Sequence, residues 1–267
     1  MEPRRHGPRG RVPRGLEGGA APVKSLSRGL DLLDAFAERP RRHFAELAAA
    51  TGIPRSSLYR FLALLAARGF LRQDPLTSEY SPGPVLYRLG SSGAWLGELR
   101  QAARAVMPAL GARTGESVYL YVREGATRVC VEALEGTRGT IRHAIKPGSV
   151  FPLHVGASGK AILAFLPDAE RAVLLARLPL PRLGPGSITR RGELRAEVER
   201  IRRQGWAYSE AELASGAWAV AVPILDRTKT CVASLVVAGP MVRLERERLP
   251  EYARLLRAAV ADLTRAI

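Results

Sequence analysis

Residues 43–69 carry a helical pattern of apolar and polar positions. In the second half of this stretch Leu58, Phe61, Leu62 and Leu65 recur at the spacing of one helix face. This spacing predicts an amphipathic helix whose apolar stripe packs on a core and whose opposite, polar face is left outward.

A shorter helical pattern precedes this helix. Phe44, Leu47 and Ala48 share one face, and Gly52 follows where a connection between two helices needs a positive φ or a close approach. Pro54 marks the start of the second helix, because proline suits a first turn and disfavours helix at the residue before it. Two short helices joined by a tight turn predict a helix-turn-helix.

The flanks extend this motif. A first helix is expected to run through Glu38, with Ser25 or Ser27 as its N-cap. Its buried face is expected to consist of Leu26, Leu30, Leu33 and Ala37. After the second helix of the pair, residues 70–74 and 80–83 read as two strands of a hairpin around the turn at 75–79, which makes the module winged.

Residues 84–99 predict a helix that links this module, residues 23–83, to the rest of the chain. The segment contains Gly90, Gly93 and Gly97, each of which costs about 1 kcal/mol relative to alanine in a helix. Such a helix needs tertiary or partner contacts, and we expect a partner subunit to order it, so that the segment mediates dimerisation. Its apolar contact is expected to come from Leu86, Leu89, Trp95 and Leu96.

The remaining residues, 100–267, mix strands with helices. Strands are predicted at 118–122, 129–134, 140–145, 217–225 and 231–239, and helices from Ser158, near 191–203 and from Leu244. This order indicates an α+β domain built around an antiparallel sheet.

Charge supports a polyanionic partner without locating it. The net charge is +16, of which +7 falls in residues 1–90 and +9 in residues 91–267. Arginine therefore dominates both halves. Residues 1–22 are rich in Arg, Gly and Pro and too polar to fold alone, so a flexible basic arm that contacts phosphates is one interpretation. A segment without a function is the other.

Two cysteines and the absence of a long apolar run place the protein among soluble, cytoplasmic proteins. Cys130 and Cys231 each lie inside an apolar strand pattern, which favours buried, reduced thiols. No apolar segment approaches the length of a membrane span, and residues 1–22 lack the apolar centre of a signal peptide. We therefore expect no membrane partner.

With these motifs in place, the chain after residue 23 resembles the IclR family of bacterial transcriptional regulators. The likeness lies in blocks at 25–36, 46–71, 115–122, 151–167, 205–224 and in the GP pair at 239–240. The resemblance implies a winged helix-turn-helix, a linker helix and a C-terminal effector-binding domain similar to GAF and PAS sensors. It also implies a repressor or activator that forms homodimers or dimers of dimers on double-stranded operator DNA.

The polar face of the second helix supplies the candidate DNA contacts. Arginine side chains bind guanine edges or phosphates, whereas hydroxyl groups mostly contact the DNA backbone and fix the position of the protein along it. The candidates are Arg55, Ser56, Ser57, Tyr59 and Arg60.

Residues 154–161 do not match the phosphate-binding Walker loop. His154 stands where that loop needs its first glycine, and Ala161 stands where it needs Ser or Thr. A turn of small residues that enters a helix still leaves free N–H groups at Gly156, Ala157 and Ser158, which favour an anion such as a ligand carboxylate. Ordinary capping of the helix by Ser158 is the alternative.

The two apolar strands supply small side chains on one face. Alternation groups Ala219 with its neighbours on one strand, and Val236 with Ala238 on the other. In relatives that bind small polar acids, the positions that match Ala219, Val236 and Ala238 can be Cys or Ser. This chain departs from that pattern because all three are apolar, which favours a larger or more apolar acid, with aromatic acids among the candidates. Ser209 or Glu210 is expected to add one polar contact. A filled core is the alternative.

The sequence contains no residue pattern typical of a metal site or a catalytic site. The spacings of His143, His154, Cys130 and Cys231 match no compact zinc pattern. No GxSxG elbow or activated cysteine occurs, so no catalytic residue and no cofactor is expected.

The expected function is therefore a DNA-binding regulator whose operator affinity responds to a small organic acid. Two alternatives stay open, a regulator whose C-terminal domain only dimerises, and an enzyme built on a sensor-like domain.

Overall fold

The computed structural model describes residues 23–92, 94–138, 145–226 and 228–266. The chain divides between Pro82 and Gly83 into two compact units, which are considered separately. The expected basic arm, residues 1–22, lies outside the described residues, as does most of the strand expected at 140–145. Ile145 is described and does not belong to a strand.

The first unit is a three-helix module with a small hairpin. Its elements are α1 (Lys24–Glu38), α2 (Phe44–Thr51), α3 (Arg55–Ala67), β1 (Leu71–Gln73) and β2 (Tyr80–Pro82). The two strands pair antiparallel, so the expected wing is present. The core of this unit consists of Leu32, Phe36, Leu47, Ile53, Leu58, Leu62, Leu71 and Tyr80.

The connection between α2 and α3 follows the sequence expectation. Gly52 has a φ of 66° and its N–H donates to the carbonyl of Ala48, which is the left-handed turn that glycine adopts without strain. A Cβ atom on Gly52 meets nothing within 4 Å, so the positive φ, and not a close approach, requires glycine. Leu58 and Leu62 are fully buried, which confirms the apolar face of α3.

The buried face of α1 differs from the expectation. Leu26 and Leu30 are exposed, whereas Leu32 and Phe36 are buried. Val23 precedes the helix and no side chain caps it. Apolar residues cover a wide arc of this helix, so their period does not determine which side faces α2 and the hairpin.

The second unit contains the larger part of the chain. Its elements are α4 (Pro84–Ser92), α5 (Ala94–Thr114), β3 (Ser117–Glu124), β4 (Thr127–Leu134), β5 (Val150–Pro152), α6 (Gly156–Ala164), α7 (Asp168–Arg177), α8 (Arg191–Gln204), β6 (Ala207–Glu210), β7 (Ala217–Leu225), β8 (Cys231–Pro240) and α9 (Leu249–Arg265).

A six-stranded antiparallel sheet organises this unit, in the order β5-β4-β3-β8-β7-β6. One face packs on α5 and α9, and the other on α6. α8 packs on α6, and α7 packs on α8. Every residue of α6 is buried. The expected α+β fold with an antiparallel sheet is therefore confirmed.

The linker segment and the last helix depart from their expected bounds. The described residues place Pro84–Ser92 in α4, and α5 (Ala94–Thr114) extends well past the expected end at residue 99. Leu99, Ala103 and Met107 lie on the buried side of α5, so packing on the sheet extends this helix. The last helix, expected from Leu244, begins at Leu249 after two 3₁₀ turns. β5, α7 and β6 were not predicted.

Candidate functional site

The polar face of α3 is exposed. Arg55, Ser56, Tyr59 and Arg60 lie in solvent, whereas Ser57 is half-buried. The guanidinium carbon of Arg55 lies 5.4 Å from the centre of the Phe44 ring on α2. No acidic residue occurs in α3. The helix therefore offers two cations and three hydroxyl groups on the side opposite its apolar stripe.

A small cavity lies in the second unit, where the first turn of α6 meets the sheet. Its volume is about 30 Å³, enough for one or two water molecules. The cavity is lined by Tyr119, Tyr121, Arg128, Ile145, Gly156, Ala157, Ser158, Ser209, Glu212, Leu213, Ala217, Trp218, Ala219, Val236 and Ala238.

The structure brings together seven of the eight residues expected to contact an effector. These are Gly156, Ala157, Ser158, Ser209, Ala219, Val236 and Ala238. Glu210 is not among the lining residues, because neighbouring residues of a strand point to opposite faces. Its carboxylate instead accepts hydrogen bonds from the Tyr208 hydroxyl at 2.8 Å and from Arg246 at 2.7 Å.

The first turn of α6 already holds an anion, which corrects the expectation of a free N–H group at Gly156. The N–H of Gly156 donates to Oε2 of Glu212 at 2.7 Å. Glu212 belongs to the connection between β6 and β7 and is 6% exposed. The helix begins after Val155 without a side-chain cap, so Ser158 is not its cap. The chain's own carboxylate takes the position expected for a ligand at Gly156.

Lys160 joins Glu212 to a second carboxylate. Its ammonium group bonds Oε1 of Glu212, Oε1 of Glu197 at 3.1 Å and the carbonyl of Tyr208 at 2.8 Å. Burial opposes ionisation of Glu197, but hydrogen bonds from Arg200 and the charge of Lys160 outweigh it and hold its pKa below the usual value. These contacts hold the Lys160 side chain in the interior between two carboxylates.

Arg128 is the other buried cation of the cavity. It is 1% exposed, and its Nη1 donates to the carbonyl of Pro152. The guanidinium carbon lies 5.2 Å from the centre of the Tyr121 ring and 5.3 Å from that of Phe151. Burial lowers the pKa of Arg128 to about 10, so the group remains charged at neutral pH.

Two glycines let Arg128 approach α6. A Cβ on Gly156 would lie 2.9 Å from Nη2 of Arg128, and a Cβ on Gly159 would lie 2.6 Å from Nη1 and 2.5 Å from the carbonyl oxygen of Leu153. Such distances are too short for a real side chain. The guanidinium thus lies directly against the first turn of α6, which only glycine permits at these positions.

The sequence interpretation missed Arg128, Glu212 and Glu197. Each is a charged residue in an element whose placement depends on the whole sheet, and none belongs to a local motif. One signal was present, since Arg128 directly precedes the largely apolar strand pattern at 129–134. A charge at such a position is either at an edge or held in the interior.

The histidine and cysteine residues considered for a metal have other contacts. The imidazole Nε2 of His154 lies 3.0 Å from the carbonyl oxygen of Pro181. Burial raises the pKa of both Cys130 and Cys231 to about 12. His143 lies outside the described residues. Within the described part of the chain, no three His, Cys, Asp or Glu side chains cluster in a way that would hold a metal ion.

Among the described residues, no helix combines the length and the apolar character needed to cross a bilayer.

The two units together are those of a transcriptional regulator with a DNA-binding helix-turn-helix. Residues 25–75 match the IclR helix-turn-helix domain, and residues 96–265 match the C-terminal domain of the bacterial transcriptional regulator IclR. The chain belongs to the IclR family of DNA-binding transcriptional regulators, which confirms the resemblance seen in the sequence.

Individual relatives agree with this assignment. The HTH-type transcriptional regulator KipR of Bacillus subtilis is 31% identical, across 91% of this chain and 97% of its own length. An IclR-type regulator from Silicibacter sp. TM1040 has a solved structure with a TM-score of 0.80 and 27% identity, covering 90% of this chain and 95% of that one. An IclR homologue of Microbacterium hydrocarbonoxydans, solved with 4-hydroxybenzoate, has a TM-score of 0.80 and 24% identity, covering 91% and 98%.

Proposed function

We propose that this regulator binds a pseudo-palindromic promoter operator as a dimer in the cytoplasm, and that a small organic acid in the cavity of the second unit changes its affinity for that operator. The observation that carries the proposal is the cavity itself. An apolar wall and buried positive charge meet there at the end of a fully buried helix.

The DNA contacts are assigned to the exposed face of α3. Arg55 and Arg60 supply cations for guanine edges or phosphates, and the hydroxyl groups of Ser56, Ser57 and Tyr59 fix the helix on the backbone. Ser57 contributes least, because it is half-buried. One recognition helix reads only a few base pairs, so two copies at a fixed spacing are needed for a specific site.

Dimerisation is assigned to α4 and the start of α5. Leu89 is 55% exposed and Trp95 is 49% exposed, so two large apolar side chains of neighbouring helices are available to a partner. Leu96 is not available for this contact, because it packs against the core of its own unit. A partner subunit that covers Leu89 and Trp95 would also hold the two recognition helices at one spacing.

The ligand class follows from the lining of the cavity. Ala219, Val236 and Ala238 offer no partner to a densely hydroxylated molecule, whose polar groups would be left without hydrogen bonds. An acid with an apolar or aromatic body satisfies both the wall and the buried charge. The likeness to the 4-hydroxybenzoate-bound homologue shows the fold alone, so that acid serves as a probe and not as an assignment.

The size of the cavity supports a regulatory role. An aromatic acid does not fit into 30 Å³, so binding has to displace lining side chains such as Leu213. A ligand that binds only the widened form shifts the population of that form. If the two forms differ in operator affinity, ligand and operator change each other's binding by the same factor.

The test combines calorimetry with an operator selected from random duplex DNA. Ala219→Trp fills the cavity, and Ala169→Trp on the exposed side of α7 is the matched control. We expect an acid that binds wild type and the control to lose affinity for Ala219→Trp and to change operator affinity only where it binds. Unchanged ligand affinity in a folded Ala219→Trp variant would place the effector elsewhere.

A further inference from the structure

We infer that Arg128 is the residue that binds the carboxylate of the effector, and that the cavity selects monocarboxylates over dicarboxylates and neutral analogues. This inference rests on the proposed function and makes it more specific. In this inference the ligand's carboxylate is bound by the Arg128 side chain and not by the first turn of α6.

The guanidinium of Arg128 is buried and only partly bonded. Nη1 donates to the carbonyl of Pro152, and Nε is buried without a hydrogen-bond partner among the described residues. Both rings beside it, those of Tyr121 and Phe151, are uncharged. A buried donor without a partner is costly, and a charged one more so. Within the described structure, Nε of Arg128 therefore has no hydrogen-bond acceptor. A ligand carboxylate can supply one.

The carboxylates of the Lys160 cluster are bonded to other donors. Lys160 contacts Glu212 and Glu197, and Glu197 also pairs with Arg200, which is 41% exposed. Among the described residues Arg128 is therefore a buried cation without a carboxylate partner, and the carboxylate of one ligand would neutralise it.

Glu212 does not fill this role for Arg128. It is a carboxylate whose charge reaches Arg128, but its Oε2 accepts the N–H of Gly156 and its Oε1 accepts Lys160. No ion pair joins Arg128 to any carboxylate in the part of the chain that the structure describes. The ligand position expected from the sequence, at the N–H of Gly156, is thus taken by Glu212. The neighbouring guanidinium of Arg128 has no carboxylate partner among the described residues.

The surroundings of Arg128 define the ligand further. Tyr119 and Tyr121 lie on β3 with ring centres 6.2 Å apart, and both line the cavity. A flat apolar body can pack on these rings while its carboxylate pairs with the planar fork of the guanidinium. A second carboxylate would find no further surplus cation and would be buried unpaired, which disfavours dicarboxylates.

The experiment measures binding of acids and their primary amides to the full-length protein by calorimetry. The probes are benzoate, 4-hydroxybenzoate, phenylacetate and 4-methyl-2-oxopentanoate, with terephthalate as the dicarboxylate. The variants are Arg128→Met, which removes the charge at similar length, and Arg128→Lys, which keeps the charge without the fork. Arg195→Met, at an exposed position of α8, controls for the loss of one positive charge.

We expect at least one monocarboxylate to bind wild type at least about tenfold more tightly than its amide and than terephthalate. Arg128→Met should abolish this preference, because the amide is affected little while the acid loses its partner. Arg128→Lys should retain part of it, and Arg195→Met all of it. Folding of each variant is checked by its thermal transition, and the lysine variant decides the result if the methionine variant does not fold.

The other outcomes separate the two proposals. If acids bind and Arg128→Met and Arg128→Lys keep the full preference over amides, Arg128 is not the anchor, and effector control stands. If binding depends on Arg128 and operator affinity does not change, effector control is wrong and the anchor stands. If none of the acids binds wild type at about 10 mM, a concentration that detects even weak binding, both are wrong.

Discussion

The two units of this regulator use the same kind of side chain in opposite environments. Arg55 and Arg60 lie in solvent on α3, whereas Arg128 lies in the interior of the second unit and is 1% exposed. A solvated guanidinium has little desolvation cost and attracts any polyanion, and salt screens this attraction. A buried guanidinium is costly and acts only at contact distance. The first arrangement suits a long nucleic acid, and the second suits one small anion.

The comparison also shows how each site is positioned. A backbone turn at Gly52 and the apolar stripe of α3 orient the exposed arginines. In the second unit, ion pairs from Lys160 to Glu197 and Glu212 hold α6, α8 and the β6–β7 connection around the cavity. Removing a charge from α3 should therefore affect DNA binding, whereas removing a carboxylate from the buried Lys160 cluster should affect folding.

The largest expected effect is on the second unit. Glu212→Gln should lower its free energy of unfolding by about 3 kcal/mol, because it removes one of the two carboxylates that pair with the buried Lys160. All three tryptophans lie in residues 83–267, so urea denaturation followed by their fluorescence reports on this unit alone.

Glu210→Gln is the matched control for that experiment. Glu210 pairs with Arg246, which is 65% exposed, and exposed pairs contribute little to stability. The contrast between buried and exposed charges is contradicted if both substitutions shift the urea midpoint by the same amount.

The next effect is on DNA binding. Arg55→Ala and Arg60→Ala should each weaken operator binding by about 1–3 kcal/mol where the side chain grips a base, and the fluorescence-detected urea transition should not move. Arg195→Ala removes the same charge from an exposed site of the second unit. Gel shifts at several salt concentrations compare the three variants. Wild-type affinity in both α3 variants would mean that the recognition face is misassigned.

The smallest effect tests the backbone turn. Gly52→Ala should destabilise the first unit by about 1 kcal/mol, because an L-residue at a φ of 66° is strained. Gly29→Ala, inside α1 and with nothing within 4 Å of the added Cβ, should stabilise the same unit by about 1 kcal/mol or less. Amide hydrogen exchange of α2 and α3 measures both. If both variants change the stability of the first unit in the same direction, φ does not control this turn.

What the sequence predicted well depends on short-range geometry. The stripe of α3 and the turn at Gly52 involve residues within two helical segments, so period and local conformation determine them. Strand alternation likewise placed Ala219, Val236 and Ala238 on the cavity side of the sheet. These are properties of one element at a time, and they carry over directly into the fold.

What the sequence could not predict depends on contacts between distant segments. Lys160 meets Glu197 and Glu212 only because α6, α8 and the β6–β7 connection converge on one face of the sheet. The same convergence gives Gly156 an internal carboxylate and leaves Arg128 beside the cavity. On α1, a wide apolar arc left the choice between Leu26 and Leu32 to tertiary packing. Periodicity contains no information about which segments meet.

The central position of β8 governs how this chain folds during synthesis. β8 lies between β3 and β7, and it pairs Ser117 with Ala238. A nascent chain therefore has two separate groups of strands until β8 leaves the ribosome, whereas the helix-turn-helix unit is complete once Pro82 has emerged. Pairing between such distant segments is slow, and N-terminal units fold first. The helix-turn-helix unit forms before the sheet that carries the cavity exists, so each new molecule contains its DNA-binding module before it contains the proposed effector site.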